Sequence, residues 1–195
     1  MTALKPIVFL FSLLPVGNLI YAFVTQDLGA NPVETLSHAT GDWALYFLLI
    51  TLAITPLRKL TGHNQLIRFR RMLGLYAFFY AVLHSLVWLV LEHEFALGAI
   101  IKDILKRPYI TFGFLSFLLM LPLAITSTNA WVRRLGAKWK RLHRLVYIIA
   151  ILAILHFIWL VKADFLEPLL YGAMLLFLLA LRLPMFEKRL LLKKA

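Results

Sequence analysis

Two of the six histidines, His84 and His156, interrupt apolar runs long enough to cross a bilayer. An ionisable side chain inside hydrocarbon is expensive and by default marks a functional site. The two stand at matching heights: His84 lies thirteen residues beyond Arg71, where one apolar run begins, and His156 thirteen beyond His143, where another begins. If both runs rise from the same membrane face, the two imidazoles meet. Neutral imidazoles facing one another across a helix bundle, in a chain with no cysteine to supply sulfur, suit the axial positions of a haem iron. The chemistry is then one-electron transfer. The plainer alternative is a pair of histidines hydrogen-bonded to neighbouring helices.

The helices that carry these residues can be read from periodicity. At about 100° per residue, Gly74, Ala77, Ala81, His84 and Trp88 share one face, so small side chains leave room below the first imidazole for a flat macrocycle. Ala153 lies one turn below His156 and Trp159 about one turn above it. Small residues also mediate ordinary helix packing in membranes. His143 lies about 20 Å before His156 at a rise of 1.5 Å per residue, a spacing that suits two haems stacked through the membrane. Thirteen helical steps, however, leave those two side chains about 140° apart. The matching level on the other helix holds Arg70, fourteen residues before His84 and within about 40° of its face. A guanidinium stays protonated and is a poor iron ligand, but it can pair with a haem propionate. A second haem held by His143, with Arg70 opposite it or on its propionates, therefore stands beside the alternative that both serve orientation signals and phospholipid head groups. His38, His63 and His93 fall in or beside loops and read as solvated.

Composition sets the class. Of 195 residues, 62% are hydrophobic and only 15% charged, against about 25% charged in soluble domains. Six stretches approach the roughly 20 apolar residues of a span, at about 7–24, 43–57, 72–91, 110–126, 144–161 and 166–184. The expected fold is an all-α polytopic membrane bundle of six transmembrane helices, a single domain over residues 1–195. The first stretch lacks a small-residue cleavage site, and Tyr21 and Phe23 follow Pro15 and Asn18, so it reads as a helix and not a signal peptide. The loops are short, with no repeat, linker or low-complexity tract. Trp43, Trp88, Tyr109, Trp131, Trp139 and Trp159 lie near span ends, as interfacial anchors do.

The net charge of +12 belongs to short loops and not to a nucleic-acid surface. Arg58, Lys59, Arg68, Arg70 and Arg71 fill the second loop, and Arg133, Arg134, Lys138, Lys140, Arg141 and Arg144 the fourth, with no acid in either. Both loops are expected in the cytoplasm, and Lys5 with Lys188, Arg189, Lys193 and Lys194 places both termini there too. The opposite side carries Asp27, Glu34, Asp42, Glu92, Glu94, Asp103, Asp164 and Glu167 against four lysines and arginines. That acidic face could dock a basic protein. The absence of cysteine excludes disulfides, thiolate-ligated haem and iron–sulfur clusters. No phosphate loop, HExxH or nucleophilic triad is present, and no soluble flavin or nicotinamide domain, so a hydride donor must act through another protein.

The segments RFRRMLGLYAFFYAVLHSLVWLV, RPYITFGFLSFLLMLPLAITSTNAWVRRLGAKWKRLHRLVYI, ILAILHFIW and GDWALYFLLITLAITPLRK resemble the MsrQ (YedZ) family, with TSTNAWVRRLGAKWKRLH the most specific run. The likeness covers nearly the whole chain, and the family belongs with the ferric-reductase-like transmembrane domains. It implies a haem b subunit of the bacterial inner membrane that takes electrons from the quinone pool or a cytosolic flavin reductase. They pass to a periplasmic molybdopterin-containing MsrP subunit, which repairs methionine sulfoxide in oxidised envelope proteins. By the same likeness His84, His143 and His156 are the haem histidines and FMN is a further cofactor. The four-histidine pattern of the wider superfamily is broken at Arg70. Two other readings remain: a stand-alone transmembrane ferric or quinone reductase, and, from another class, a small proton-coupled transporter using buried histidines. Against the transporter, no acid or base lies mid-span and no broken helix is evident.

Overall fold

The computed structural model describes residues 4–182. Within them lie α1 (Leu4–Val24), α2 (Pro32–Thr61), α3 (Ile67–Leu86), α4 (Leu97–Lys106), α5 (Pro108–Ile125), α6 (Asn129–Leu135), α7 (Ala137–Leu142), α8 (Leu145–Leu160) and α9 (Leu166–Ala180). A 3-10 turn at Asn64–Leu66 precedes α3, and a π-helical turn at Val87–Glu92 continues it. The all-helical membrane architecture expected from composition is present, with five helical stretches long and apolar enough to span. The sixth expected span, 166–184, appears as α9, whose fifteen residues fall below that length. Its last two expected residues, and Lys188, Arg189, Lys193 and Lys194, lie outside the described residues.

One boundary shift matters for the site. The second span was expected from residue 43, yet α2 begins at Pro32. Its start is locally encoded: the Asn31 side chain accepts from the Glu34 backbone N–H at 3.4 Å and donates to the Glu34 carboxylate at 2.8 Å, with proline at the first helical position. His38 and Asp42, read as loop residues, therefore lie on the helix, and an acid does stand within a long span. At its other end α2 stops at Gly62, whose φ of 76° is the left-handed conformation that glycine adopts without penalty.

The core lies where α2, α3, α5, α8 and α9 meet, around Leu52, Ala77, Tyr80, Ile149 and Ala150. Ala77 and Gly74 pack α3 against α2; a methyl on Gly74 would lie 3.6 Å from the Thr51 methyl. The small-residue stripe of α3 thus serves helix packing over most of its length, and only Ala81 reaches the cavity described below. Tyr80, fully buried, stacks on Phe47 at 5.4 Å and threads its hydroxyl into α1, donating to Ser12 O at 2.8 Å and accepting from Val16 N at 3.2 Å. Pro15 disrupts the α1 ladder at that point, so a side chain from α3 supplies the bonding that the helix lacks.

Candidate metal centre

An Arg71–Asn129 bond of 2.6 Å brings the two basic loops together at one end of the bundle, and within the second of them His143 bonds Thr126 at 3.1 Å. The two interior histidines lie toward the other, acidic end. His84 stands near the end of α3 and His156 on α8, with ring centroids 6.0 Å apart and planes at 73°. The structure brings together the pair singled out by depth alone.

Each ring is held in the same way. His84 Nδ1 lies 2.9 Å from the Ser37 carbonyl on α2, and His156 Nδ1 lies 2.7 Å from the Tyr109 carbonyl on α5. A carbonyl oxygen has no proton to give, so each Nδ1 carries the hydrogen and each Nε2 keeps its lone pair. Neither Nε2 has a hydrogen-bond partner among the described residues. One turn after each carbonyl residue stands a glycine against the ring: a Cβ at Gly41 would lie 3.2 Å from His84 Nδ1, and one at Gly113 only 2.8 Å from His156 Nδ1. Ala81 and Ala153, each three residues before its histidine, complete the wall.

A repeat thus emerges that composition and periodicity had hidden. In both halves the carbonyl residue precedes its histidine by 47 positions. A shift of 72 residues carries Ser37, Gly41, Ala81 and His84 onto Tyr109, Gly113, Ala153 and His156. The α2/α3 and α5/α8 pairs are two copies of one device facing each other. Gly41, Gly113 and the two carbonyl residues were missed in the sequence because one glycine in an apolar helix reads as packing. The recurring 43-residue separation of glycine and histidine was the available signal.

Both rings line a cavity of about 430 Å³ that reaches Asn31, Glu34, His38, Asp42 and Glu92 at the acidic end, a volume in the usual range for ligand sites. The π-helical turn places Trp88 in its wall, with Nε1 buried and without a partner among the described residues. Such turns are frequent at functional sites. His38 thus lines the cavity from the helix. His93 is paired with Asp103 at 3.2 Å and packs edge-on against Trp88. His63 stays in the turn after α2. Trp159 faces away, stacked on Phe112 at 4.8 Å.

His143 stands elsewhere. The Thr126 hydroxyl donates its one proton to Pro122 O at 2.6 Å, so it must accept from His143 Nε2–H. The ring also stacks on Trp139 at 3.9 Å, whose own Nε1 donates to Thr126 O at 2.9 Å. Arg70 makes no hydrogen bond among the described residues and lies within electrostatic reach of His143, Arg182, Tyr147 and Arg58. No cluster of three metal-binding side chains occurs among the described residues.

The donor set fits a metal held by two nitrogens. An imidazole–metal bond runs to about 2.0–2.1 Å, and rings 6.0 Å apart between centroids leave room for one ion between them. Histidines that bind metal donate the other ring N–H to a carbonyl, as both do here.

Comparison with known proteins gives the family. The family described as "Ferric reductase like transmembrane component" matches residues 40–154. A protein of Herminiimonas arsenicoxydans named "Protein-methionine-sulfoxide reductase heme-binding subunit MsrQ" is 53% identical over 185 residues, covering 93% of this chain and 85% of its own length. The chain belongs to the MsrQ family. An MsrQ of Xanthomonas oryzae pv. oryzae is 59% identical over 158 residues, 81% of this chain and 72% of that protein, and one of Ralstonia nicotianae 51% over 183 residues, 92% and 84%. No solved structure matches the chain. The ferric-reductase match begins one residue before Gly41 and ends two before His156, so in this chain it spans nearly all of both halves of the paired device.

Proposed function

We propose that this chain is the haem b electron carrier of a methionine sulfoxide reductase system in the bacterial inner membrane. The observation that carries the reading is the facing pair His84 and His156, each with its Nδ1–H on a backbone carbonyl and its Nε2 unengaged. His84 and His156 would hold the iron, and Gly41, Gly113, Ala81 and Ala153 would give the macrocycle its flat walls. A haem held by two imidazoles supplies a one-electron iron couple at low-spin iron. The chain's own part is to fix both ring orientations, exclude water with apolar α2, α3, α5 and α8, and offer Trp88 Nε1 as a donor inside the cavity.

The same reading gives direction. The basic loops lie in the cytoplasm and the histidine cavity in the outer half of the membrane, opening toward Glu34, His38, Asp42 and Glu92. Electrons enter from the quinone pool or a cytosolic flavin reductase and leave to a periplasmic MsrP-type molybdopterin subunit docked on the acidic end, where methionine sulfoxide is reduced. FMN is a second cofactor by family likeness alone. The purified protein is expected to show a low-spin b-type spectrum on dithionite reduction and to reoxidise when a purified methionine sulfoxide reductase catalytic subunit and substrate are added. A spectrum without haem would overturn the carrier assignment. Reoxidation by ferric chelates but not by that subunit would replace it with a stand-alone reductase.

A further inference from the structure

At the basic end of the bundle stands a group of arginines that the haem site does not use. Arg182, just past α9, donates to the Tyr147 hydroxyl at 2.7 Å and to the Leu52 carbonyl, with its guanidinium carbon 5.3 Å from the Tyr147 ring centroid. It is therefore fixed between α2 and α8, while its Nε is buried without a partner among the described residues. Arg70 on α3 lies within electrostatic reach of both Arg182 and Arg58. All three side chains are partly buried, and no ion pair joins a carboxylate to any of them among the described residues, where the pairs found are His93–Asp103 and Arg107–Asp103. Three like charges gathered at half-burial repel one another and lose hydration, a cost that an anion between them removes.

A second feature says what kind of anion. Between α2 and α9 runs an apolar groove of about 500 Å³, lined by Leu49, Ile50, Ala53, Met174, Phe177 and Leu178. Tyr46 and Tyr171 close its far end, their hydroxyls 3.2 Å apart. Its near end stops at Ala53, next to the Leu52 carbonyl that holds Arg182, and at Leu178, one turn before Arg182 itself. A hydrocarbon-shaped groove therefore ends at a cluster of guanidiniums, and Arg recognises phosphate oxygens well.

We propose that Arg58, Arg70, Arg182 and Tyr147 form a phosphate-binding site whose occupant is an anionic membrane phospholipid, with an acyl chain in the α2/α9 groove. The site joins α2, α3, α8 and α9 and so ties the short α9 to the helices that carry the histidines. Native mass spectrometry of the detergent-purified protein, titrated with phosphatidylglycerol and with phosphatidylcholine of the same chains, tests it. The wild type is expected to retain phosphatidylglycerol preferentially. The double variant Arg58→Gln/Arg70→Gln, whose side chains hold no described hydrogen bond, is expected to lose roughly thirtyfold in that affinity, from two basic contacts near a membrane surface. Ala53→Trp fills the groove without touching charge and is expected to weaken phosphatidylglycerol as well. Unchanged circular dichroism and elution volume keep folding out of the comparison. Equal retention of the two lipids, or a double variant that keeps the preference, would overturn the proposal. Full competition by inorganic phosphate together with indifference to Ala53→Trp would replace the lipid by a free anion.

Discussion

The histidines at the two ends of this bundle differ in which nitrogen the protein occupies. At the acidic end, His84 and His156, both lining the cavity, bond through Nδ1 to main-chain carbonyls and leave Nε2 without a partner among the described residues. At the basic end, His143 is bonded through Nε2 to the Thr126 hydroxyl and covered by Trp139. The first arrangement presents two lone pairs to a shared space; the second spends the outward nitrogen on holding a loop. A histidine's neighbours, more than its depth, decide whether it is offered as a ligand.

The largest expected effect breaks the comparison at its strong end. His84→Ala or His156→Ala is expected to abolish the low-spin b-type spectrum, because one imidazole cannot fill both axial positions. Reduced-minus-oxidised spectra and electron paramagnetic resonance of the purified variants check it. An unchanged spectrum in either variant would sink the ligand assignment.

The next effects separate the two halves of the repeat. Gly113→Ala puts a methyl 2.8 Å from His156 Nδ1, closer than real side chains approach, and the ring cannot yield without stretching its bond to Tyr109 O. Overpacking of this kind costs about 1–3 kcal/mol. Haem occupancy after purification is expected to fall several-fold, with a lowered melting temperature. Gly41→Ala places its methyl at 3.2 Å from His84, where a shift of a few tenths of an ångström suffices, so its loss is expected to be the smaller. Equal losses would mean that the two cradles are not distinguished by their clearance.

How much of this was legible beforehand follows from what each residue advertises. The depth of His84 and His156 is written in apolar run lengths, so the pair could be found from the chain alone. The basic loops were equally plain, because charge in a hydrophobic sequence has few places to go. The start of α2 was not, since Asp42 and His38 look like loop residues until Asn31 and Pro32 are weighed as a helix start. The glycine cradles were hidden for another reason. A glycine's meaning here lies in an atom 43 residues away, and only the mirrored halves reveal it. The hydroxyl that engages His143 lies seventeen residues before it across a loop of two short helices, and no periodicity reports such a contact.

His143→Ala sharpens the weak end of the comparison and carries the smallest expected effect. The variant removes one hydrogen bond to Thr126 and the stack on Trp139. A net hydrogen bond is worth about 0.5–1.5 kcal/mol and an aromatic pair about as much again. The melting temperature is expected to drop by a few degrees, while the spectrum of the His84/His156 site keeps its position and most of its amplitude. His143→Gln separates position from ligation, since its amide can still donate to the Thr126 oxygen but is a poor iron ligand. Recovered stability with an unaltered spectrum is the outcome expected of a loop fastener. If both variants instead halved the haem content per protein, His143 would be holding a second haem, and the contrast between the two ends would fall.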